Sequence, residues 1–286
     1  AAAVSGYVRQ WKAAVHRPQS LRAQLRQRVR SAALTALAQR SNWSSEPFLR
    51  CLYCHYVFAD QEEMFRNQLA MLTEHGRFVD TETLLEMRAG RIPIEGPTFH
   101  LSFDDGFLNH HNHGARILRE FGLPALFFVP TGFIGAGLEE ARRYAVDIAE
   151  YQGPIEMMGW DEVAELVEWG FDVGSHTRHH VRHSELQGDE ALRDEIAGSK
   201  EDLEARLGQP CTVISWPFGT LDDISAHALD VVREAGYEAC FGAYRGSVAP
   251  MVTDVMRIPR HHFEVQWPVH HVRYFAQGQR EVHAGV

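Results

Sequence analysis

The sequence predicts an α/β fold built on a parallel sheet, open or closed into a barrel. Three observations carry that prediction. Strand-like runs alternate with helical segments at intervals of roughly 25–45 residues. About seven such runs occur, near residues 50, 99, 126, 173, 214, 240 and 257. The run Ala-Leu-Phe-Phe-Val between Pro124 and Pro130 is apolar without a break, as suits a strand covered on both faces. The chain of 286 residues has length for one large α/β barrel or two small domains. No fixed-period repeat or low-complexity segment divides it. The simplest organisation is a basic helical N-terminal extension, 1–47, followed by one catalytic domain, 48–286.

Taken in order, residues 20–40 read as an amphipathic helix. Ser20 serves as N-cap, and Leu21, Leu25, Val29, Ala33 and Leu37 recur at helical spacing as its inward face. Ser41 to Glu46 read as a polar linker, and Leu49 to Phe58 as the first strand. Asp60 and Glu63 form a capping pair opening a helix that buries Phe65, Leu69 and Leu72 and ends at Gly76. A short helix over 81–89 leads to the strand Pro97 to Phe103. His110, His111 and His113 follow and are expected at the surface, ahead of a helix ending at Phe121-Gly122.

The strand 124–130 runs into a glycine-rich loop, Thr131 to Gly137, and a long mixed connection over 138–159. A helix over 161–170 turns Val163, Leu166 and Val167 inward, before a strand over 171–175. A charged helix over 189–207 precedes the strand Thr212 to Trp216. A helix near 223–235 ends at Gly236, and short strands are expected near 238–242 and 255–259.

Charge is unevenly spread. The formal net charge is −10, yet residues 1–45 carry eight Arg or Lys and no Asp or Glu, which leaves −18 on the remainder by subtraction. A basic arm on an acidic body can dock on that body or on an anionic membrane surface. An acidic body excludes nucleic acid as the partner. A hydrophobic fraction of 45% and a charged fraction of 23% are those of a soluble globular protein. No apolar run is long enough to span a bilayer, and no signal peptide is visible. The first residue is Ala1 rather than Met, so the N-terminus does not give the compartment. Periplasm, cell envelope and the cytoplasmic membrane surface all remain open. Cys51-Leu52-Tyr53-Cys54-His55 matches a haem-attachment pattern. It lies in a strand, where the two thiols would face opposite sides, so buried thiols are expected for all four cysteines.

Chemistry gathers at the strand ends. His55 follows the first strand, and Asp104-Asp105-Gly106 follows the strand near 99. His176 to His180 follow the strand near 173, and Pro217-Phe218-Gly219 the strand near 214. Parallel sheets deliver functional groups at this carboxyl edge. If the chain turned helically at His176, then His176 and His180 would share one face at i, i+4, a good spacing for two imidazoles on one cation. One carboxylate would complete a facial set of three.

These residues resemble the polysaccharide deacetylase family, the NodB-type homology domain of carbohydrate esterase family 4. Phe103 to Gly106 is similar to its aromatic-Asp-Asp-Gly strand end, and His176 to His180 to its His-(Ser/Thr)-x-x-His motif. Ser215 to Gly219 is similar to its aromatic-Pro-aromatic-Gly element. The resemblance spans roughly residues 50–262 and implies a distorted (β/α)7-type barrel.

It implies Asp105, His176 and His180 as ligands of a divalent metal, zinc first, with cobalt and nickel as alternatives. It implies Asp104 as general base and the Phe218 backbone N–H as an oxyanion donor. The usual late Leu-x-His acid has no clear match among His261, His262, His270 and His271. Ser215 stands where many members have an Arg that orients the base. Tyr53-Cys54-His55-Tyr56 resembles the early element of the poly-β-1,6-N-acetylglucosamine deacetylase branch, which implies His55 as the acid. Arg257 resembles the late Arg of that branch and is expected to pair with Asp104.

The implied activity is removal of N-acetyl groups from amino sugars in an oligo- or polysaccharide. The alternatives are hydrolysis of another C–N bond, in an N-formyl sugar or cyclic amide, and a carbohydrate-binding domain with an unused site.

Overall fold

The computed structural model describes residues 6–15, 21–40, 43, 45–186, 188–278 and 281. Among the described residues there are eight strands: β1 (Phe48–Cys54), β2 (Arg77–Phe78), β3 (Pro97–Phe103), β4 (Leu126–Val129), β5 (Asp172–Ser175), β6 (Val213–Ser215), β7 (Ala239–Phe241) and β8 (Arg260–His262). Their order is β7-β6-β5-β4-β3-β1-β8, with β2 paired to β3 off this path. All pairings are parallel. The sheet curls round until Ile258 bridges to Phe241 of β7 while β8 pairs with β1. This is a nearly closed, distorted barrel of the expected kind. The last strand lies at 260–262 rather than 255–259, because Val255–Arg257 forms a 3-10 turn whose Asp254 side chain accepts from the Met256 N–H.

Among the described residues ten α-helices surround or cap the barrel: α1 (Trp11–Val15), α2 (Leu21–Arg40), α3 (Glu62–Thr73), α4 (Thr81–Arg88), α5 (Arg116–Phe121), α6 (Leu138–Arg142), α7 (Trp160–Glu168), α8 (Asp189–Leu207), α9 (Ala226–Glu234) and α10 (Val269–Ala276). Strand side chains alternate between two cores. Leu49, Cys51, Leu126, Phe128, Val213, Ala239 and Phe241 form the inner one. Leu52, Cys54, Phe127, Val129, Ile214 and Cys240 pack outward, against Phe65, Leu69, Val163, Leu166 and Ile196 of the helices. The unbroken apolar run of β4 is thus divided, residue by residue, between barrel interior and helix layer. Leu84 and Met87 of α4 join the inner core beside residues that begin their strands, so α4 plugs the amino-terminal end of the barrel. The carboxyl end is left for the site.

Cys51 and Cys54 fall in different cores, both buried, so the two thiols do not share the face that covalent haem attachment needs.

The N-terminal segments pack on the body. The Val8 N–H donates to the Pro154 carbonyl at 2.8 Å and the Gln152 N–H to the Ala14 carbonyl at 2.7 Å. The predicted inward face of α2 is reversed. Leu34 and Ala38 pack on Tyr274 and Phe275 of α10, whereas Leu25, Val29 and Leu37 are 64%, 61% and 41% exposed. Ala33 is exposed with them. A single helix with two apolar stripes can bury only one against a single neighbour, and α10 took the narrower one. Leu21 and Ser20, assigned to the same helix start, lie outside the residues whose side chains are described. The expected linker also contributes: the Trp43 ring packs at a tilt on His75, with centroids 4.3 Å apart.

The three histidines after Gly106 are not a surface group. A π-helical turn, His110–Ala115, buries His110 and His111. His110 Nε2 lies 2.7 Å from the His55 carbonyl, and the His111 ring stacks on Trp169 at 4.6 Å. His113 pairs with Glu62 at 2.7 Å. Lying past the strand-end turn does not put them outside, because the widened turn folds the chain straight back onto the body.

Candidate active site

A cavity of about 390 Å³ opens at the carboxyl end of the barrel. It is lined by His55 after β1, Asp104 and Asp105 after β3, and His176 and His180 after β5. Trp216 and Phe218 after β6, and His262 and Glu264 at the end of β8, complete the wall. Tyr56, Glu150 and Tyr151 line it as well. Among the described residues, none that lines it is Lys or Arg.

The turn that places the carboxylates is tight. Asp105 (φ +83°) and Gly106 (φ +68°) are both left-handed. Asp tolerates that region at some cost, and Gly at none. A Cβ on Gly106 would meet Pro130 at 3.0 Å. Two adjacent acids therefore diverge from one strand end yet face one cavity.

Asp105 Oδ1 lies 3.8 Å from His176 Nε2 and 3.5 Å from His180 Nε2. The three ligand atoms lie within 4.8 Å of one another. These separations are too long for hydrogen bonds. They suit three donors that each sit about 2 Å from one small cation. His176 Nδ1 is held 2.9 Å from the Ser215 carbonyl, so its Nε2 keeps the free lone pair. Burial, reinforced by His176, pushes His180 down to about 3, so its imidazole is neutral, as a metal ligand must be. The donor set fits a divalent cation. The two histidines do not reach this arrangement through a helical turn. Thr177 (φ +64°) and His180 (φ +56°) are left-handed, and Thr177 Oγ1 accepts from the His180 N–H at 3.1 Å.

Asp104 faces a different partner. Arg260 grips it with two parallel bonds, Nη1 to Oδ1 at 2.7 Å and Nη2 to Oδ2 at 2.8 Å. Both residues are buried. The same guanidinium donates to Ser102 Oγ, Ser215 Oγ and the Gly242 carbonyl. Burial pushes the Asp104 carboxyl up, but Arg260 and then His176 pull it below the usual carboxylate range. Arg257, the residue assigned this pairing from the sequence, is exposed on the 3-10 turn. The reason is register. Arg260 enters β8 and is buried, whereas Arg257 stays on the exposed turn before it. The small Ser215 side chain presents its Oγ to that guanidinium, at the position where many relatives were expected to carry an arginine.

Several site residues carried no sequence signal. Tyr144 donates to Asp105 Oδ1 at 2.7 Å and Tyr151 to Oδ2 at 3.2 Å. Burial, followed by the Asp105 charge, pushes both phenols well up, so both are donors. They come from the 138–159 connection, whose irregular helix (α6, then a π-turn over Arg143–Ile148) has no simple periodicity. The His55 ring packs against Tyr53 and His262 at centroid distances of 5.3 and 5.0 Å. Glu264 accepts from the Tyr56 hydroxyl at 3.3 Å, and burial raises its carboxyl. His270 and His271 contact Thr35 of α2, and His261 lies against Glu281, so of the late histidines only His262 lines the cavity. Phe218 (φ +61°) lays its ring between His180, at 5.0 Å, and the Arg182 guanidinium, at 3.6 Å.

Comparison with known proteins agrees with this geometry. The family model described as polysaccharide deacetylase matches residues 92–240, just over half of the chain. The putative polysaccharide deacetylase YxkH of Bacillus subtilis is 24% identical over 140 residues, covering 48% of this chain and 42% of that protein. A poly-beta-1,6-N-acetyl-D-glucosamine N-deacetylase of Staphylococcus aureus is 22% identical over 213 residues, covering 71% of this chain and 67% of that one. The structure of IcaB from Ammonifex degensii superposes with a TM-score of 0.67 at 25% identity, over 82% of this chain and 98% of that chain. The BpsB deacetylase domain from Bordetella bronchiseptica shares the fold, with a TM-score of 0.63 at 17% identity over 77% and 98% of the two chains. A barrel whose carboxyl end carries an Asp-Asp pair and two histidines, matched by that family model, makes this chain a member of the polysaccharide deacetylase family.

Proposed function

We propose that this protein is a divalent-cation-dependent N-deacetylase of N-acetylated amino sugars in a neutral glycan. The observation that carries the reading is the separation of labour at one cavity mouth. Asp105, His176 and His180 converge on a point, while Asp104, which lines the same cavity, is left out of that set and held by Arg260. The cation, zinc first with cobalt or nickel as substitutes, would polarise the amide carbonyl and acidify water when bound.

The residues of the chain supply the rest. Asp104 takes the proton of the water that attacks the acetamide carbon. The Phe218 N–H donates to the oxygen that gains negative charge. His55 returns a proton to the nitrogen as the C–N bond breaks, and acetate and a free amine leave. The cavity wall bears four carboxylates and neither Lys nor Arg, which suits a neutral sugar becoming an ammonium and disfavours an anionic glycan. Tyr56 and Tyr151 bring aromatic rings to the same wall.

The test is acetate release from β-1,6-linked N-acetylglucosamine oligomers, the substrate named for the staphylococcal relative. Release is expected, with loss on chelation and recovery on adding zinc. Formate from an N-formyl sugar with no acetate from any oligomer would overturn the acetyl assignment. Glycan binding without turnover of any amide would make the protein a binding module.

The exposed stripe of α2 we assign to an anionic membrane surface. Leu25, Val29, Ala33 and Leu37 form one face at steps of four residues. Arg26 and Arg28 are exposed beside it, and residues 1–45 contain no acid. Among the described residues no helix is long and apolar enough to cross a membrane. Cosedimentation with anionic vesicles, weakened by salt and by Leu25→Asp with Val29→Asp, is expected. Equal binding of the double variant, or none by the parent chain, would refute it.

A further inference from the structure

We infer that Tyr144 and Tyr151 form a phenol clasp that positions the Asp105 carboxylate, and so sets the cation affinity of the site. The inference rests on the reading of Asp105, His176 and His180 as the cation ligands.

An ionised carboxylate offers about four lone-pair directions. One phenol occupies a direction on Oδ1, at 2.7 Å, and the other a direction on Oδ2, at 3.2 Å. With both filled, the carboxylate cannot rotate without losing two hydrogen bonds. The lone pair left on Oδ1 faces the two imidazoles. Asp105 needs such restraint, because its backbone is left-handed and a relaxed side chain would have other directions to take.

The clasp is itself held. Tyr144 is fully buried, its ring tilted against Phe133 with centroids 4.7 Å apart and edge-on to His180 at 5.5 Å. The connection bearing both tyrosines is tied to the N-terminal segment through Val8 to Pro154 and Gln152 to Ala14. Val8 sits so close to Gly153 that a Cβ there would meet it at 2.6 Å. A ligand-orienting pair on a braced segment is a preorganised outer shell, and removing such a partner typically weakens metal binding about 10–100-fold.

The experiment measures zinc affinity of chelator-stripped protein by competition with a chromogenic chelator, which needs no turnover. Tyr144→Phe keeps the ring packing and deletes only the donor. It is expected to weaken zinc binding about 10–100-fold, and Tyr151→Phe by a smaller factor because its bond is longer. Thermal melting of the stripped proteins checks that the variants are folded. Should Tyr144→Phe fail to fold, the half-buried Tyr151→Phe carries the test alone. Asp105→Asn is the control. Zinc binding by the parent chain, lost in Asp105→Asn but within twofold of the parent in both phenylalanine variants, overturns the clasp and leaves the ligand set standing. No zinc binding by the parent chain overturns the ligand set itself.

Discussion

Replacing Arg260 by methionine is expected to lower stability by about 3–5 kcal/mol, the cost of leaving one member of a buried ion pair without its partner. The guanidinium is fully buried and gives five hydrogen bonds, two of them to Asp104. Without it, the Asp104 carboxylate stays in the barrel with no countercharge, and Ser102, Ser215 and Gly242 lose a donor. For a chain of this size the loss corresponds to a fall of roughly 6–20 °C in melting temperature. Arg260→Lys should not restore turnover, because an ammonium cannot reproduce the two-pronged grip. Arg257→Met, on the exposed turn, should shift stability by no more than about 0.5 kcal/mol. Thermal melting of the three variants decides the matter. An unchanged melting temperature in Arg260→Met would show that the pair is not what holds this end of the barrel. The double variant Asp104→Asn with Arg260→Met should recover part of the loss, since neither charge is then left alone.

Asp104→Asn is the second large effect. It removes the proposed base while leaving Asp105, His176 and His180 in place. Turnover should fall about 10²–10⁴-fold, the range that general-base catalysis contributes. Zinc affinity should stay within a few-fold of the parent chain, which separates the two adjacent carboxylates by function. The amide also faces the buried Arg260 with a neutral group, so the variant will melt lower and must be assayed well below its transition. Full turnover at that temperature would remove Asp104 from the mechanism. A matching loss of zinc would mean that the two acids share the cation.

Much of this site was legible because it follows strand ends. Asp104, Asp105, His176 and His180 stand at the carboxyl termini of β3 and β5, and apolar runs that stop at polar residues are visible in one dimension. The same holds for Phe218 after β6 and His55 after β1. Arg257 was misassigned because the sequence shows two arginines three residues apart and nothing to say which enters the strand. The buried face of α2 was misread because periodicity counts apolar residues and does not know where the neighbour lies. His110 and His111 were misplaced because standing past a turn does not say whether the chain folds back onto the body, as it does here.

The sequence by itself determined a parallel α/β sheet, left open or closed, the succession of its main strands and helices, and the strand-end carboxylates and histidines. Those are properties of local pattern, carried by period, turn residues and adjacency. The tertiary structure decided which arginine pairs with Asp104, that Tyr144 and Tyr151 reach Asp105 across roughly 40 residues of chain, and that Glu264 and His262 share the cavity with His55. Those contacts depend on how the barrel closes and how an irregular segment folds over its mouth. No local energy term specifies either one, because each is fixed by the packing of the whole ring.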